Sequence, residues 1–330
     1  MSEQKLPSIT IIIAARPAQA EIKAVLASRQ LNYPSGQLEI IVARGKQPSV
    51  QRNAAIKAAR TEWIYFLDDD SIPLPHNLHD AVKYFPDPSV QMIGGPNLCP
   101  PDAPPLEQIF AVVLASWLAF GPSRARYASV GQARESSEKE LILCNLLARR
   151  ADLIELGGFN EALYPNEENA LMDELQKRGG KLIYDPQFIV HRRPRHSLQA
   201  FLKMLLTYGR GRAEQFRVTP TFGSAPNFVP PLFCLYLVTL LIFQLAALGR
   251  SLGVMKYFSL FPLGFYALAV LMQTCVSIPA SGLLRSLIAM PLLIASHLFY
   301  GFGFWHGLFT KLRLGPQRSR FEVVLENIPR

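Results

Sequence analysis

Hydrophobic positions along this 330-residue chain follow two regimes. In the first, short apolar runs alternate with polar turns and amphipathic stretches. Ser8 to Ala14 (SITIIIA) and Glu39 to Ala43 (EIIVA) are β-branched runs and predict strands. Between them, Ile22, Val25 and Leu26 carry helical spacing over Ala20 to Arg29, and Tyr33-Pro34-Ser35-Gly36 predicts a turn. Val50 to Arg60 is rich in helix formers, and Trp63 to Leu67 (WIYFL) is again a strand. Strand–helix–strand–helix–strand in this order predicts an α/β domain with a parallel, doubly wound, Rossmann-like sheet. Val90 to Gly95 predicts a further strand, followed by a Pro-rich loop. Leu106 to Phe120 is too short for a membrane span and suits a buried or interfacial helix. Arg124 to Lys139 reads as a loop, Leu141 to Ala148 returns to apolar, and Asn160 to Gly180 reads as a loop and then a helix capped by Asn166. Lys181 to Tyr184 and Phe188 to Val190 are short strands flanking Asp185-Pro186.

The second regime has no such alternation. Val218–Gly249, Tyr257–Leu284 and Ser286–Thr310 contain no Asp, Glu, Lys or Arg. Each is longer than the roughly 20 residues that cross a hydrocarbon core. The pattern predicts a catalytic domain over 1–217, a membrane domain over 226–310 with two or three transmembrane helices, and a basic tail over 311–330. Phe228–Leu248 and Tyr257–Ile278 are the expected spans. Leu287–Phe309, which holds His297 and His306, either crosses or is re-entrant. A third full span would place Lys311, Arg313, Arg318 and Arg320 on the outer side, against the positive-inside tendency; a re-entrant segment keeps them inside.

Charge adds location to this picture. The net charge is +9, and Arg192, Arg193, Arg195, Lys203, Arg210, Arg212 and Arg217 cluster just before the first span. Such a belt suits a cytoplasmic membrane face, anionic headgroups or a pyrophosphate, and argues against nucleic acid as partner. The polar stretch Met1 to Pro7 is not a signal peptide, so the catalytic domain is expected to stay in the cytoplasm. The four cysteines have neither metal-ligand nor disulfide spacing, which points to a reducing compartment.

Candidate chemistry sits where the Trp63–Leu67 strand ends. Asp68-Asp69-Asp70 places three carboxylates together, and they repel unless a positive group lies between them. A divalent cation holding a diphosphate would do this, because hard cations take carboxylate oxygen and bridge to phosphate. An acidic turn capping the next segment is the simpler alternative. In open α/β sheets ligands sit beyond the carboxyl ends of the strands, where these acids fall. Glu167-Glu168 forms a second acidic pair in the first turn of a predicted helix, and a positioned carboxylate there can take a proton from a hydroxyl nucleophile. Its simpler alternative is an ordinary negatively charged helix start.

The order IIIAAR, YPxxxLEIIV, QRNAAIKAA, FLDDD, GGFNEAL, EEN and HRRPR, followed by apolar spans, resembles the family 2 glycosyltransferases. The likeness runs from about Ile9 to Gly211. It is strongest to membrane-bound bacterial members of the succinoglycan-synthesis type, whose hydrophobic tails are similar to Leu298–Gly303. The resemblance implies an A-type nucleotide-sugar-binding domain and an inverting, metal-dependent hexosyl transfer in the bacterial inner membrane. The implied partners are a nucleotide diphosphate sugar donor, a lipid-linked saccharide acceptor and membrane lipid. It also implies Mg²⁺ or Mn²⁺ on Asp70 with Asp68 in the metal shell or on ribose, Glu168 as general base beside Glu167, and Arg52 and Asn53 near the nucleotide. Gly157-Gly158-Phe159-Asn160-Glu161 would be the acceptor-side loop, His191 a metal or diphosphate contact, and Arg193, Arg195, Arg210 and Arg212 candidates for the pyrophosphate. The Gln-x-x-Arg-Trp element of processive relatives is absent from Tyr208–Arg212, which implies addition of one sugar. Two segments depart from the family pattern. Ala14-Ala15-Arg16-Pro17 stands for Pro-x-x-Asn, and Val42-Ala43-Arg44-Gly45 lacks the acid that reads the base, leaving Arg16 or Arg44 as substitute contacts. Two alternatives stay open: transfer to polyprenyl phosphate, and a non-catalytic membrane scaffold.

Overall fold

The computed structural model describes residues 6–161, 167–218, 220, 222–246, 255–311 and 322–329, so the expected cap Asn166 lies outside the described residues. The chain begins with β1 (Ile9–Ala15), α1 (Lys23–Ser28), β2 (Leu38–Arg44), α2 (Pro48–Ala58), β3 (Trp63–Asp68), β4 (Ile72–Pro73), α3 (Asn77–Ala81), β5 (Val90–Gly94) and β6 (Asn97–Leu98). It continues through α4 (Pro105–Leu114), α5 (Trp117–Phe120), β7 (Arg134–Ser136), β8 (Asn145–Arg149), α6 (Arg150–Glu155), α7 (Glu167–Lys177), β9 (Lys181–Tyr184) and β10 (Val190–His191). Then follow α8 (Leu198–Val218), α9 (Val229–Ala246), α10 (Met255–Phe258), α11 (Phe261–Ser281), α12 (Leu283–Phe309) and β11 (Val324–Ile328).

These elements form two compact units. The first holds the chain up to Asp102, Pro122–Arg193 and the C-terminal residues that include β11; the second holds Ala103–Gly121 and Pro194–Leu312. The division expected from sequence puts its boundary at 217. It falls inside α8, a continuous helix that packs with α12, and β11 gives the tail a structural place in the first unit.

In the first unit an eight-stranded sheet has the order β11-β2-β1-β3-β8-β5-β9-β7. β2, β1 and β3 are parallel, as the opening pattern predicts. The sheet as a whole is mixed, because β8 runs antiparallel to both β3 and β5, and β7 and β11 close the two edges antiparallel. Both faces are covered, which is why the strands read as continuous apolar runs. Ile9, Ile11, Ile13, Trp63, Tyr65 and Leu67 join one core with α1 and α3. Ile12, Ile64 and Phe66 join the other with α2, α6 and α7. The stretch expected as a loop over Arg124–Lys139 contains β7.

The second unit is helical. Three of its helices, Ala225–Ala246, Phe261–Ser281 and Leu283–Phe309, are long and apolar enough to cross a membrane. The helix expected over Leu106–Phe120 forms as two pieces, with a bend of 59° at the break after Leu114. Ser116 caps the second piece by accepting from Ala119 N at 3.0 Å.

Candidate active site

β3 delivers Asp68 at its carboxyl end, and Ser71 N closes a turn onto Asp68 O at 3.0 Å, leaving Asp68, Asp69 and Asp70 half-buried at the sheet edge. α2 is anchored beside them. Gln51 donates to Ala15 O and Ala43 O, at 2.8 and 2.5 Å, fixing the helix to the carboxyl ends of β1 and β2. This anchoring aims the buried Arg52 across the site. Its Nη2 lies 3.0 Å from Asp68 Oδ1, and its Nη1 lies 3.4 Å from Glu167 Oε1 at the start of α7. One guanidinium thus ties the acid on the strand to the acid on the helix.

Glu167 and Glu168 are neighbours with different surroundings. Glu167 is only 2% exposed, whereas Glu168 is half-buried in the same turn. Burial, reinforced by the charge of Glu168, pushes the Glu167 carboxyl up to about 7 despite the opposing pull of Arg52. Its Oε2 has no hydrogen-bond partner.

A second arginine holds the acidic turn from the other side. Arg192 follows β10, whose His191 pairs with Ile72 of β4, and its backbone N donates to Leu98 O at 2.9 Å. Its Nη1 reaches Asp68 Oδ2 at 3.2 Å and its Nε reaches Asp70 Oδ1 at 2.5 Å. Burial opposes the Arg192 charge, but Asp68 and Asp70 outweigh it and hold the guanidinium firmly protonated. Asn53, next to Arg52, pins the glycine-containing loop. Its Oδ1 accepts from Phe159 N at 2.8 Å, and its Nδ2 donates to Phe159 O at 2.9 Å and Glu161 Oε1 at 3.0 Å. Gly158, at φ +81°, lies so close that a Cβ there would strike Asn53 Oδ1.

The chain that carries this arrangement has known relatives in sequence and fold. The family model described as "Glycosyltransferase like family 2" matches residues 1–206. The chain belongs to that family. Pre-mycofactocin glycosyltransferases from two strains of Mycobacterium tuberculosis are 23% identical over 192 residues, covering 55% of this chain but only 37% of their own length. The mannosyltransferase PcManGT from Pyrobaculum calidifontis, solved with GDP-Man and Mn²⁺, superposes with a TM-score of 0.52 at 16% identity, covering 88% of this chain and 87% of that one. At that identity the likeness is one of fold. S. aureus TarS 1–349 with UDP-GlcNAc aligns over 91% of this chain and 90% of its own, at 12% identity and a TM-score of 0.43.

Of the site residues expected from sequence, Arg52, Asn53, Asp68, Asp70, Glu167, Glu168 and His191 all lie in the first unit. Arg210 and Arg212 do not: both are on α8 in the second unit, where Arg210 Nε lies 3.4 Å from Glu214 Oε1 and Arg212 donates to Gln215 Oε1 at 3.1 Å. Asn53 acts on the loop backbone. Arg44, a suggested nucleotide contact, is engaged by Glu326 Oε1 at 2.8 Å and by Gln19 O at 2.7 Å. Sequence reading placed Arg192 only in a general basic belt, although its position directly after His191 at a strand end was the available signal. Glu326 was missed, because Val323–Ile328 carries no clear alternation.

Among the described residues no three His, Cys, Asp or Glu side chains converge as a ready metal cage. The donor chemistry nevertheless fits a hard divalent cation. Asp68 and Asp70 supply carboxylate oxygens, His191 Nδ1 is buried without a partner, and Mg²⁺-type sites commonly use one or two carboxylates and complete their shell with substrate phosphates.

Proposed function

We propose that this protein is an inverting glycosyltransferase that moves one sugar from a nucleotide diphosphate sugar to a lipid-linked saccharide, in cell-surface polysaccharide synthesis of the succinoglycan type. The observation that carries the reading is the Asp68–Arg52–Glu167 chain, which couples a donor-side acid to the helix start that bears the base. The donor lies over the carboxyl ends of β1 to β3, with its diphosphate toward Asp68 and Asp70. Asp68, Asp70 and His191 would hold Mg²⁺ or Mn²⁺, which would supply charge neutralisation for the departing diphosphate.

Glu168, the more accessible carboxylate of the pair, takes the proton of the acceptor hydroxyl as its oxygen attacks the anomeric carbon. The bond from that carbon to the diphosphate breaks as the new one forms, so configuration inverts. Glu167, buried and tied to Arg52, sets the position of the α7 start. Asn53 holds the 158–161 loop, which faces the acceptor. An apolar helical unit in the same chain favours an acceptor that resides in lipid, because it raises the local concentration of such an acceptor.

Purified protein in lipid vesicles, supplied with nucleotide sugars and a lipid extract, tests this. We expect a labelled sugar to enter the organic phase. In Glu168→Gln transfer should fall by roughly 10²–10⁴-fold, the usual contribution of a general base, while nucleotide binding persists. Unchanged transfer by Glu168→Gln contradicts the assigned base.

A further inference from the structure

The C-terminal strand records on which side of a membrane the chain ends. β11 pairs with β2 over five residues, from Val324 opposite Arg44 to Ile328 opposite Ile40. Arg44 and Glu326 reinforce the pairing, and Arg29 donates to Pro329 O at 3.2 Å. Strand pairing cannot occur across a bilayer, so residues 324–328 share a side with the rest of this sheet. The chain enters the second unit at Pro194 and returns from it after Leu312. The number of crossings in between is therefore even, and the three long apolar helices cannot all cross.

Contacts within the second unit indicate which two do. α11 and α12 are joined by the single residue Gly282 and run antiparallel. Near the turn, Gln273, Thr274, Ser277 and Ser286 line one cavity; at the other end, Tyr266 Oη lies 2.8 Å from His297 Nδ1. At about 1.5 Å per residue, 21 and 27 residues give helices of roughly 30 and 40 Å, enough for a bilayer core. The end of α12 away from Gly282 packs on α8, which carries Lys203, Arg210, Arg212, Glu214 and Arg217. There Gly303 and Gly307 abut the carbonyls of Leu206 and Arg210, and Arg217 Nη1 donates to Gly307 O at 3.0 Å and Thr310 O at 2.6 Å. A helix with five charges belongs at the polar face, so this is the end from which the hairpin enters.

α9, the most apolar of the three, has both ends at that same level. At its start, Pro231 O accepts from Trp305 Nε1 at 2.9 Å, and Cys234 Sγ donates to Leu298 O at 3.7 Å. Further along, Tyr236 and Gln244 both bond to Ser259, at 2.8 and 3.0 Å, just before α11 begins. A crossing helix would carry Gln244 far from the α11 entrance.

The α4–α5 pair packs beside the hairpin, and the chain is back in the first unit from Pro122. Val112, Val113 and Ser116 reach the cavity near the Gly282 end, and the free backbone at the break is satisfied by the hairpin itself. Gln273 Oε1 accepts from Leu118 N at 3.2 Å, and His297 Nε2 lies 2.9 Å from Leu118 O. Backbone irregularity at membrane depth is tolerated only when buried in protein in this way.

We infer that α11 and α12 form a two-crossing hairpin with Gly282 on the far face, that α9 lies within the near leaflet, that α4–α5 is re-entrant, and that the C-terminus lies on the side of the first unit. This replaces the expected span Phe228–Leu248 and keeps the expected Tyr257–Ile278 span as α11, Phe261–Ser281. It leaves Arg285 as the single Lys or Arg at the far end of the bundle, in keeping with the positive-inside rule.

Single cysteines in a background without Cys99, Cys144, Cys234 and Cys275 test the arrangement, read by a membrane-impermeant maleimide on sealed vesicles of each orientation. Asp80→Cys marks the side of the first unit. The inference expects Ser251→Cys and Arg330→Cys to label with Asp80→Cys, and Leu284→Cys to label only in the opposite orientation. Label on Leu284→Cys from the Asp80 side, or on Ser251→Cys or Arg330→Cys from the other, overturns it. If removing the buried cysteines prevents folding, epitope tags after Arg250, after Gly282 and at the C-terminus of the natural chain, read by protease protection, give the same three answers.

Discussion

Arg192 meets Asp68 at 3.2 Å and thereby places a fixed positive charge inside the acidic turn that would hold a divalent cation. A guanidinium and a metal ion compete for the same carboxylates. In the absence of nucleotide, Arg192→Gln should therefore bind Mn²⁺ more tightly. A partly exposed pair is worth about 1 kcal/mol, or roughly fivefold in affinity. Titration of free Mn²⁺ by electron paramagnetic resonance measures this, and weaker binding in the variant would show that Arg192 organises the acids rather than competing for them.

Arg52 has the opposite dependence. Its partner Glu167 is buried, so removing the arginine leaves a carboxylate without its counter-charge. Arg52→Ala should lose about 3 kcal/mol of stability, the scale for breaking one side of a buried pair. Arg52→Lys should recover only part, because one ammonium cannot span Asp68 and Glu167 as the planar fork does. Thermal unfolding in detergent compares the three proteins.

Glu167 also sets a pH dependence. Its carboxyl is pushed up to about 7 from the ordinary glutamate value of 4.5, so the folded state holds the extra proton between these limits. Stability from this group is greatest below pH 4.5, falls as pH rises to about 7, and is level above that. Glu167→Gln abolishes the trend, so its melting temperature relative to the natural protein should be more favourable at pH 8 than at pH 5. An identical difference at both pH values would place the Glu167 proton elsewhere.

Gly158 and Asn53 offer a test of the loop. Gly158→Ala adds a Cβ at φ +81° against Asn53 Oδ1. The left-handed conformation alone costs on the order of 1–3 kcal/mol. Asn53→Ala should loosen the same loop by removing its bonds to Phe159 and Glu161. Both variants should raise the KM for acceptor more than that for donor, as steady-state kinetics with each substrate varied would reveal.

The sequence revealed most where adjacent residues carry the information. WIYFLDDD could be read as a buried strand ending in acids because strand and ligands are contiguous, and EEN could be read as an acidic helix start for the same reason. Arg192 could not be placed on Asp68 and Asp70 from sequence, since that contact depends on β10 joining β4 over a hundred residues away. The C-terminal strand escaped notice because a short, largely exposed edge strand has little hydrophobic pattern, and its pairing with β2 is among the most distant in the chain. The helices long and apolar enough to cross a membrane were visible by length and lack of charge. Which of them cross was not, because that follows from the contacts of Ser259, His297 and Arg217 rather than from hydropathy.

The donor site is tested most directly by the thermal stability of purified full-length protein with UDP, GDP, CDP and dTDP, each with and without Mn²⁺, alongside Asp70→Ala. A ligand bound only by the folded state stabilises it, by about 2.7 kcal/mol at a hundredfold excess over Kd. The account predicts a metal-dependent rise with one nucleotide that Asp70→Ala, compared with its own melting temperature in buffer, abolishes. No rise with any nucleotide, or a rise that Asp70→Ala retains in full, would contradict a nucleotide-sugar site at Asp68–Asp70.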